Sequence, residues 1–283
     1  MMSFVNLFHD NLFLMRALIA CIGISFICPI LGIFLLLRRM SLMGDAISHA
    51  ILPGIAIGFM FGGMSVIFMA LGGLLAGLIV TILAGIVSWH TEIKEDASFA
   101  SFYLIALALG VIIISKSGTN IDLIHILFGS ILAVDKESLI ILSSIVTFSL
   151  ILLMIILRPL VIDIFDKHLL KIYGVNAVIY HLLFLFLVVI NLVIDFQILG
   201  TILVVGLMML PASISKLLAS SLNNMIIIAI LSSIFSSIAG ILISYYYDLA
   251  TGPSIILING FLYILAIIFV NIKKVISKPH FEA

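Results

Sequence analysis

The chain has 283 residues, of which 64% are hydrophobic and only 9% are charged, and its mean hydropathy is +1.45. Because soluble domains carry about 25% charged residues, this composition excludes a soluble enzyme, a disordered chain and a fibrous repeat. A formal net charge of zero also excludes a nucleic-acid-binding surface. We therefore expect an all-α polytopic membrane protein, with residues 1–283 forming a single transmembrane domain surrounded by membrane lipid.

Apolar runs of about 20 residues, long enough to cross a bilayer, follow one another along the chain. They predict helices at 13–37, 43–62, 66–89, 98–115, 137–157, 178–196, 199–217, 225–246 and 254–272. The run 199–217 contains Gly200, Gly206 and Pro211 and could be broken or re-entrant, so both eight and nine spans are open. The stretch 118–134 is too short to span, and we expect a loop with a short interfacial helix there.

Lys and Arg predict which loops are cytoplasmic. If the loop after the first span is cytoplasmic, ten of the 13 basic residues lie on the cytoplasmic side and three lie outside, namely Arg16, Lys116 and Lys136. The C-terminus is then cytoplasmic. The N-terminus lies outside if there are nine spans and inside if there are eight.

Asp45 and His49 are the most informative polar residues, because they lie inside an apolar segment and one helical turn apart on the same face. Polar groups in a span are costly unless they face a partner, a water-filled path or a metal ion. A carboxylate oxygen and an imidazole nitrogen can both bind a divalent first-row cation. The alternative is that Asp45 caps the helix start and His49 makes a structural hydrogen bond. The spacing alone leaves both interpretations open.

The same helix carries a row of small residues and a proline. Small residues every four positions let helices approach closely in lipid. Pro53 follows His49 by four residues and favours a bend. The row consists of Ala46, Ala50, Gly54, Gly58 and Gly62. We therefore expect this helix to pack at the centre of the bundle and to line a path.

Other polar residues have simpler expected roles. Cys21 and Cys28 are seven residues apart, too far for a disulfide within one helix, and are expected to be inert apolar side chains. Asp195 lies near the outer end of a span and is expected to be a solvated helix end or an additional outer metal ligand. His181 begins a span and is expected at the membrane interface, and Glu95 is expected to favour a helix start.

The polar stretch 158–176 predicts a short amphipathic helix on the cytoplasmic side. Asp166 can cap its start, and Gly174 can end it. Leu169 and Leu170 alternate there with charged residues. The pattern fits both an interfacial connector and a surface for a partner protein.

The segment LLLRRMSLMGDAISHAILPGIAIG at 35–58 resembles the membrane permease subunit of ABC importers for manganese, zinc or iron. Four more segments are similar to that family in the family's order: ILFGSILAVDKESL at 126–139, FDKHLLKIYG at 165–174, GTILVVGLMMLPA at 200–212 and SYYYDLATGPSIIL at 244–257. The resemblance covers nearly the whole chain.

The resemblance implies an architecture like that of the vitamin B12 and siderophore ABC importer permeases, in a prokaryotic plasma (inner) membrane. Two copies of the chain would form a homodimer. Separate cytoplasmic ATP-binding subunits would hydrolyse ATP, and an extracytoplasmic metal-binding protein would deliver the ion. The chain itself would not be an enzyme, which agrees with the absence of a G-x-x-x-x-G-K-[ST] sequence.

The resemblance also implies roles for individual residues. Asp45 and His49 match the family's metal-path ligands, and the ion would be transported cargo (manganese, iron or zinc) with no permanently bound cofactor. The form GDAISHAILPG is similar to manganese and iron members, so these ions are favoured over zinc. The segment 165–174 would be the coupling helix that contacts the ATPase, through Phe165, Asp166, Leu169, Leu170 and Gly174.

Two other functions remain open from the sequence. A stand-alone secondary metal carrier or channel would need titratable groups in the membrane and often has internal repeats, and no clear repeat is present. An intramembrane enzyme could use Asp45 and His49 as a catalytic pair, but it would need a recognisable nucleophile. Dependence of transport on an ATPase separates the importer from both alternatives.

Overall fold

A computed structural model of the chain describes residues 11–63, 65–117, 131–165 and 177–276. These residues form ten α-helices, one turn of 3-10 helix (Ile131–Ala133) and no strand. The helices are α1 Leu12–Leu37, α2 Met43–Ala50, α3 Leu52–Gly62, α4 Val66–His90, α5 Glu95–Ser117, α6 Lys136–Phe165, α7 Ala177–Leu199, α8 Thr201–Leu218, α9 Leu222–Tyr247 and α10 Thr251–Ile276.

The nine predicted spans are all present in the described part of the chain. The short helices α2 and α3 follow one another and together form one span, Met43–Gly62, so nine helical segments are long and apolar enough to cross a membrane. The all-α polytopic prediction is confirmed. The uncertain run is a continuous helix, α8, which continues through Gly206 and Pro211. Gly200, with φ of 91°, makes the turn from α7 into α8, a backbone conformation that glycine adopts without strain.

Helix α6 extends further than the sequence predicts. The expected end was residue 157, before Arg158 and Pro159, but α6 continues to Phe165. A proline within a helix removes only one backbone hydrogen bond and is tolerated where neighbouring helices hold the segment. The extension matters because it carries Asp163, which is 6% exposed, to the end of the bundle.

The bundle is arranged around α1 and the α2–α3 span. In α1, 72% of the most apolar stretch is buried within the protein, and in Met43–Gly62 the share is 67%. The corresponding share in α10 is 17%. Helix α1 packs against α8, α9 and α6, while α2 contacts α5, α7 and α8. The span that carries Asp45 and His49 is therefore among the most enclosed in the protein.

Helices α3 and α4 approach one another through glycines. A Cβ atom at Gly54 would lie 2.0 Å from the carbonyl oxygen of Gly72, and one at Gly58 would lie 2.3 Å from the carbonyl oxygen of Phe68. A Cβ atom at Gly62 would lie 2.4 Å from the Phe68 ring. Real Cβ atoms do not approach other heavy atoms this closely, so the contact between the two backbones requires glycine at these positions.

Candidate metal-ion pathway

Asp45 and His49 lie on the same face of α2. Asp45 is in the first turn and is exposed, while His49 is in the last turn and is half-buried. The His49 ring stacks on Tyr103 of α5, with the ring centroids 6.0 Å apart and the planes 30° apart. Within α2, the Ser48 hydroxyl donates to the Asp45 carbonyl oxygen at 2.6 Å. The Asp45 side chain makes no capping hydrogen bond with the α2 backbone.

The helix is interrupted directly after His49. Helix α2 ends at Ala50, and α3 begins at Leu52 with Pro53 in its first turn. Proline has no N–H group, so Pro53 cannot donate to the His49 carbonyl oxygen as a regular helix would require. Gly110 of α5 lies against this interruption, because a Cβ atom there would be 3.0 Å from the Pro53 nitrogen.

Asp45 and His49 would supply two metal donors, and this role stays a prediction. Within the described ranges, no group of three or more His, Cys, Asp and Glu side chains could hold a metal ion. A stable transition-metal site in a protein has about four ligands or more. Other donors would have to come from water or from another protein chain.

The exposure of Asp45 indicates what its face of α2 contacts. A carboxylate on the surface of a membrane span is costly against lipid, and such residues face a bundle interior or a water-filled cavity. The described part of this chain leaves Asp45 exposed. Its side chain is thus placed to meet an ion or a second protein chain.

Asp195 differs from its expectation as a solvated helix end. It lies in α7, is completely buried, and has Oδ2 at 3.4 Å from the Cys28 sulfur of α1. Its other oxygen, Oδ1, has no hydrogen-bond partner among the described residues. The expectation was wrong because α1 covers this part of α7. Cys28 and Cys21 are both free and buried, but Cys28 also contacts a polar group.

His181 is likewise more buried than an interfacial residue, with 7% exposure. Its ring nitrogens contact Arg38 at the end of α1 and Glu95 at the start of α5. Glu95 therefore has a side-chain partner in addition to its place in the first helical turn. Sequence position alone could not reveal this cluster, because its members come from distant parts of the chain.

The predicted coupling helix lies almost entirely outside the described residues. Phe165 is the last residue of α6. Asp166, Leu169, Leu170 and Gly174 fall within 166–176, which is not described, and their coupling role stays a prediction.

Comparison with known proteins gives consistent matches over almost the whole chain. Residues 10–270 match the ABC 3 transport family. The manganese transport system membrane protein MntC of Halalkalibacterium halodurans is 36% identical, with 98% of this chain and 95% of that protein covered. A probable iron transport system membrane protein of Haemophilus influenzae is 33% identical, with 92% of this chain and 95% of that protein covered.

The fold also matches a solved structure. PsaBC from Streptococcus pneumoniae, determined in complex with Fab, aligns with a TM-score of 0.79 and 35% identity, covering 93% of this chain and 95% of that one. Agreement of sequence and three-dimensional fold excludes a chance likeness in composition. The chain therefore belongs to the ABC 3 transport family and is a multi-pass plasma membrane protein.

Proposed function

We propose that this chain is the transmembrane permease subunit of an ATP-driven importer for divalent transition-metal ions. The observation that carries the proposal is the exposed Asp45 carboxylate on a membrane span, one turn from His49 and directly before a helix interruption. Family membership supports transport as the function. A carboxylate and an imidazole form a weak two-donor site, which suits an ion that must leave as readily as it enters.

Manganese or iron is the favoured cargo. Relatives are named for manganese in Halalkalibacterium halodurans and for iron in Haemophilus influenzae. The chemistry of one carboxylate and one imidazole suits manganese, iron and zinc alike. The preference over zinc therefore depends on the relatives and on the GDAISHAILPG form of the segment.

Three protein partners follow from this function. The sequence has no phosphate-binding G-x-x-x-x-G-K-[ST] loop, so cytoplasmic ATP-binding subunits would hydrolyse the ATP. A second copy of the chain would face Asp45 and His49 across the pathway and would supply further donors. An extracytoplasmic metal-binding protein would deliver the ion.

The alternative is a secondary carrier or channel that works without ATP. Uptake of radioactive manganese and zinc by cells that lack their own metal importers separates the two functions. The chain and the metal-binding protein of its own system are expressed with and without the ATPase subunit. We expect manganese uptake only when the ATPase is present, and less uptake of zinc.

Two other results would each contradict a different part of the proposal. Uptake that is the same without the ATPase would contradict an ATP-driven importer and favour the carrier. Uptake of zinc in preference to manganese would leave the importer in place and overturn the proposed cargo.

A further inference from the structure

Four polar side chains from four helices form one connected cluster, which we name the Arg38 network. Arg38 follows the last residue of α1, and its Nη2 donates to Oδ2 of Asp163 in α6 at 2.7 Å. Its Nη1 contacts Nδ1 of His181 in α7. The other ring nitrogen of His181, Nε2, lies 2.7 Å from Oε1 of Glu95 in α5. The network thus joins α1, α5, α6 and α7.

The chemistry of these groups determines the proton positions. A guanidinium can only donate hydrogen bonds, so Nδ1 of His181 must accept. Nε2 of His181 then carries the proton and donates to Glu95. His181 thus lies between the Arg38 guanidinium and the Glu95 carboxyl group, and Arg38 also lies over the Phe184 ring, 5.4 Å from its centroid.

Burying charged side chains in this way contributes little to the stability of a fold. The side chains of Arg38 and Asp163 are only 9% and 8% exposed, and Nε of Arg38 has no partner among the described residues. Burial lowers the pKa of Arg38, although the Asp163 carboxylate opposes this. Buried ion pairs can often be replaced by apolar residues with no loss of stability. The network therefore calls for a role that apolar packing could not fill.

Its place in the chain suggests that role. Asp163 lies two residues before the end of α6, and His181 is in the second turn of α7. These two helix ends flank 166–176, which contains most of the predicted ATPase-docking segment. Arg38 begins the short turn that leads to α2, which carries Asp45 and His49. The network thus links both ends of the docking segment to the turn before the metal-binding helix.

We propose that the Arg38 network couples nucleotide binding by the docked ATPase to the position of α2, with Arg38, Asp163 and His181 as positioning residues. This inference rests on the proposed function, since it requires an ATPase at 165–174 and metal ligands on α2. Directional hydrogen bonds hold four helix ends in one arrangement, whereas apolar contacts would let them slide.

The test replaces the buried pair by apolar residues, Arg38→Met with Asp163→Leu. No lone buried charge remains, so the complex should assemble and keep its thermal stability. Reconstituted with its ATPase, the variant should hydrolyse ATP but transport at least about fivefold less manganese per ATP, the lower end of typical coupling between sites. His181→Phe, which removes the ring nitrogens that join Arg38 to Glu95 and leaves the Arg38–Asp163 pair intact, should show the same loss if the double variant does not fold.

The matched control is Asn191→Leu with Ser149→Ala. This pair is another buried hydrogen bond between α7 and α6, 2.7 Å long and outside the network. The amount of manganese per ATP should stay at the parent value. An unchanged ratio in the Arg38 variants, or an equal loss in the control, would overturn the role of the network.

A second readout does not depend on metal transport. Ser41 is exposed in the turn between α1 and α2, and the rate of maleimide labelling of Ser41→Cys should change when nucleotide binds the ATPase. The Arg38→Met, Asp163→Leu variant should lose that change. Absence of metal uptake in the parent would contradict the proposed function, while labelling that responds equally in both proteins would contradict the network.

Discussion

At the scale of single residues, Asp45 and His49 differ in their accessibility. Asp45 is exposed and His49 is half-buried against Tyr103, so one donor is free to move and the other is held by a ring contact. Two donors from one chain leave several coordination positions for water or other ligands. If the pair binds the ion as proposed, the ion would exchange there without breaking a closed coordination shell.

Gly58 provides a test of close packing at one residue. A Cβ atom there would lie 2.3 Å from the Phe68 carbonyl oxygen, and backbone cannot move aside as a flexible side chain can. We expect Gly58→Ala to destabilise the protein by about 1–3 kcal/mol and to lower its melting temperature in detergent. Gly260→Ala is the control, because a Cβ atom at Gly260 has nothing within 4 Å. Equal melting temperatures for both variants would contradict the contact between α3 and α4.

Single residues also show where prediction from the sequence stops. Asp45 and His49 could be selected because they are polar, inside an apolar run and one turn apart. The contacts of Asp195 with Cys28 and of His49 with Tyr103 could not be predicted. The two residues of each pair are far apart along the chain, by 167 residues for Cys28 and Asp195. A residue's place within its own helix does not reveal which other helix covers it.

At the scale of elements, the interruption between α2 and α3 is the feature closest to the candidate site. Pro53 prevents one helical hydrogen bond, and Gly110 of α5 lets that helix lie against the proline. The break therefore has both a local cause and a tertiary support. It separates the short helix that carries Asp45 and His49 from the glycine-lined helix α3.

Pro53→Ala tests this element. The alanine N–H can donate to the His49 carbonyl oxygen, so α2 and α3 should join into a straighter helix and His49 should be displaced. We expect the melting temperature in detergent to stay about the same, because proline in the first turn of a helix is well tolerated, while metal uptake falls. Pro211→Ala, within α8, is the control and should keep parental uptake. Parental uptake by Pro53→Ala would show that the interruption has no part in transport.

Element boundaries were predictable where hydropathy changes sharply and less so at α6. The predicted end at 157 relied on Arg158 and Pro159, yet α6 continues to Phe165. The cause is again non-local, since Asp163 finds Arg38 at 2.7 Å and the extended turn is held by that pair. The run Leu160–Phe165 contains one charge among apolar residues, a signal that it is buried beside a partner.

At the scale of the whole molecule, the nine spans found in the described ranges agree with what the composition allows. About 20 residues per span and short loops account for nearly all of the chain. Assembly with other proteins cannot be predicted from hydropathy, because it depends on surfaces that the periodicity of apolar residues does not identify. Here the resemblance of five segments in order supplied the prediction of an ATPase and a second copy.

The docking segment gives a prediction at this scale. Leu169 and Leu170 are two adjacent apolar residues of the predicted coupling helix, so Leu169→Asp with Leu170→Asp should disrupt its apolar contact and abolish copurification of the ATPase. Leu217→Asp with Leu218→Asp changes two exposed leucines at the end of α8 on the same predicted side. That control should retain the ATPase. If the ATPase copurified with both variants, the assignment of 165–174 as the coupling helix would be contradicted.

The most direct test of the central claim is ATP-dependent manganese uptake by the purified complex in proteoliposomes, with Asp45→Asn and His49→Gln compared with the parent. Loss of one outer-shell partner of a metal ligand typically costs 10–100-fold, so we expect each ligand variant to lose at least about tenfold. His90→Gln, an exposed histidine whose ring bonds its own helix, should transport like the parent. If Asp45→Asn and His49→Gln assemble with the ATPase and still transport like His90→Gln, the metal pathway does not pass these two residues.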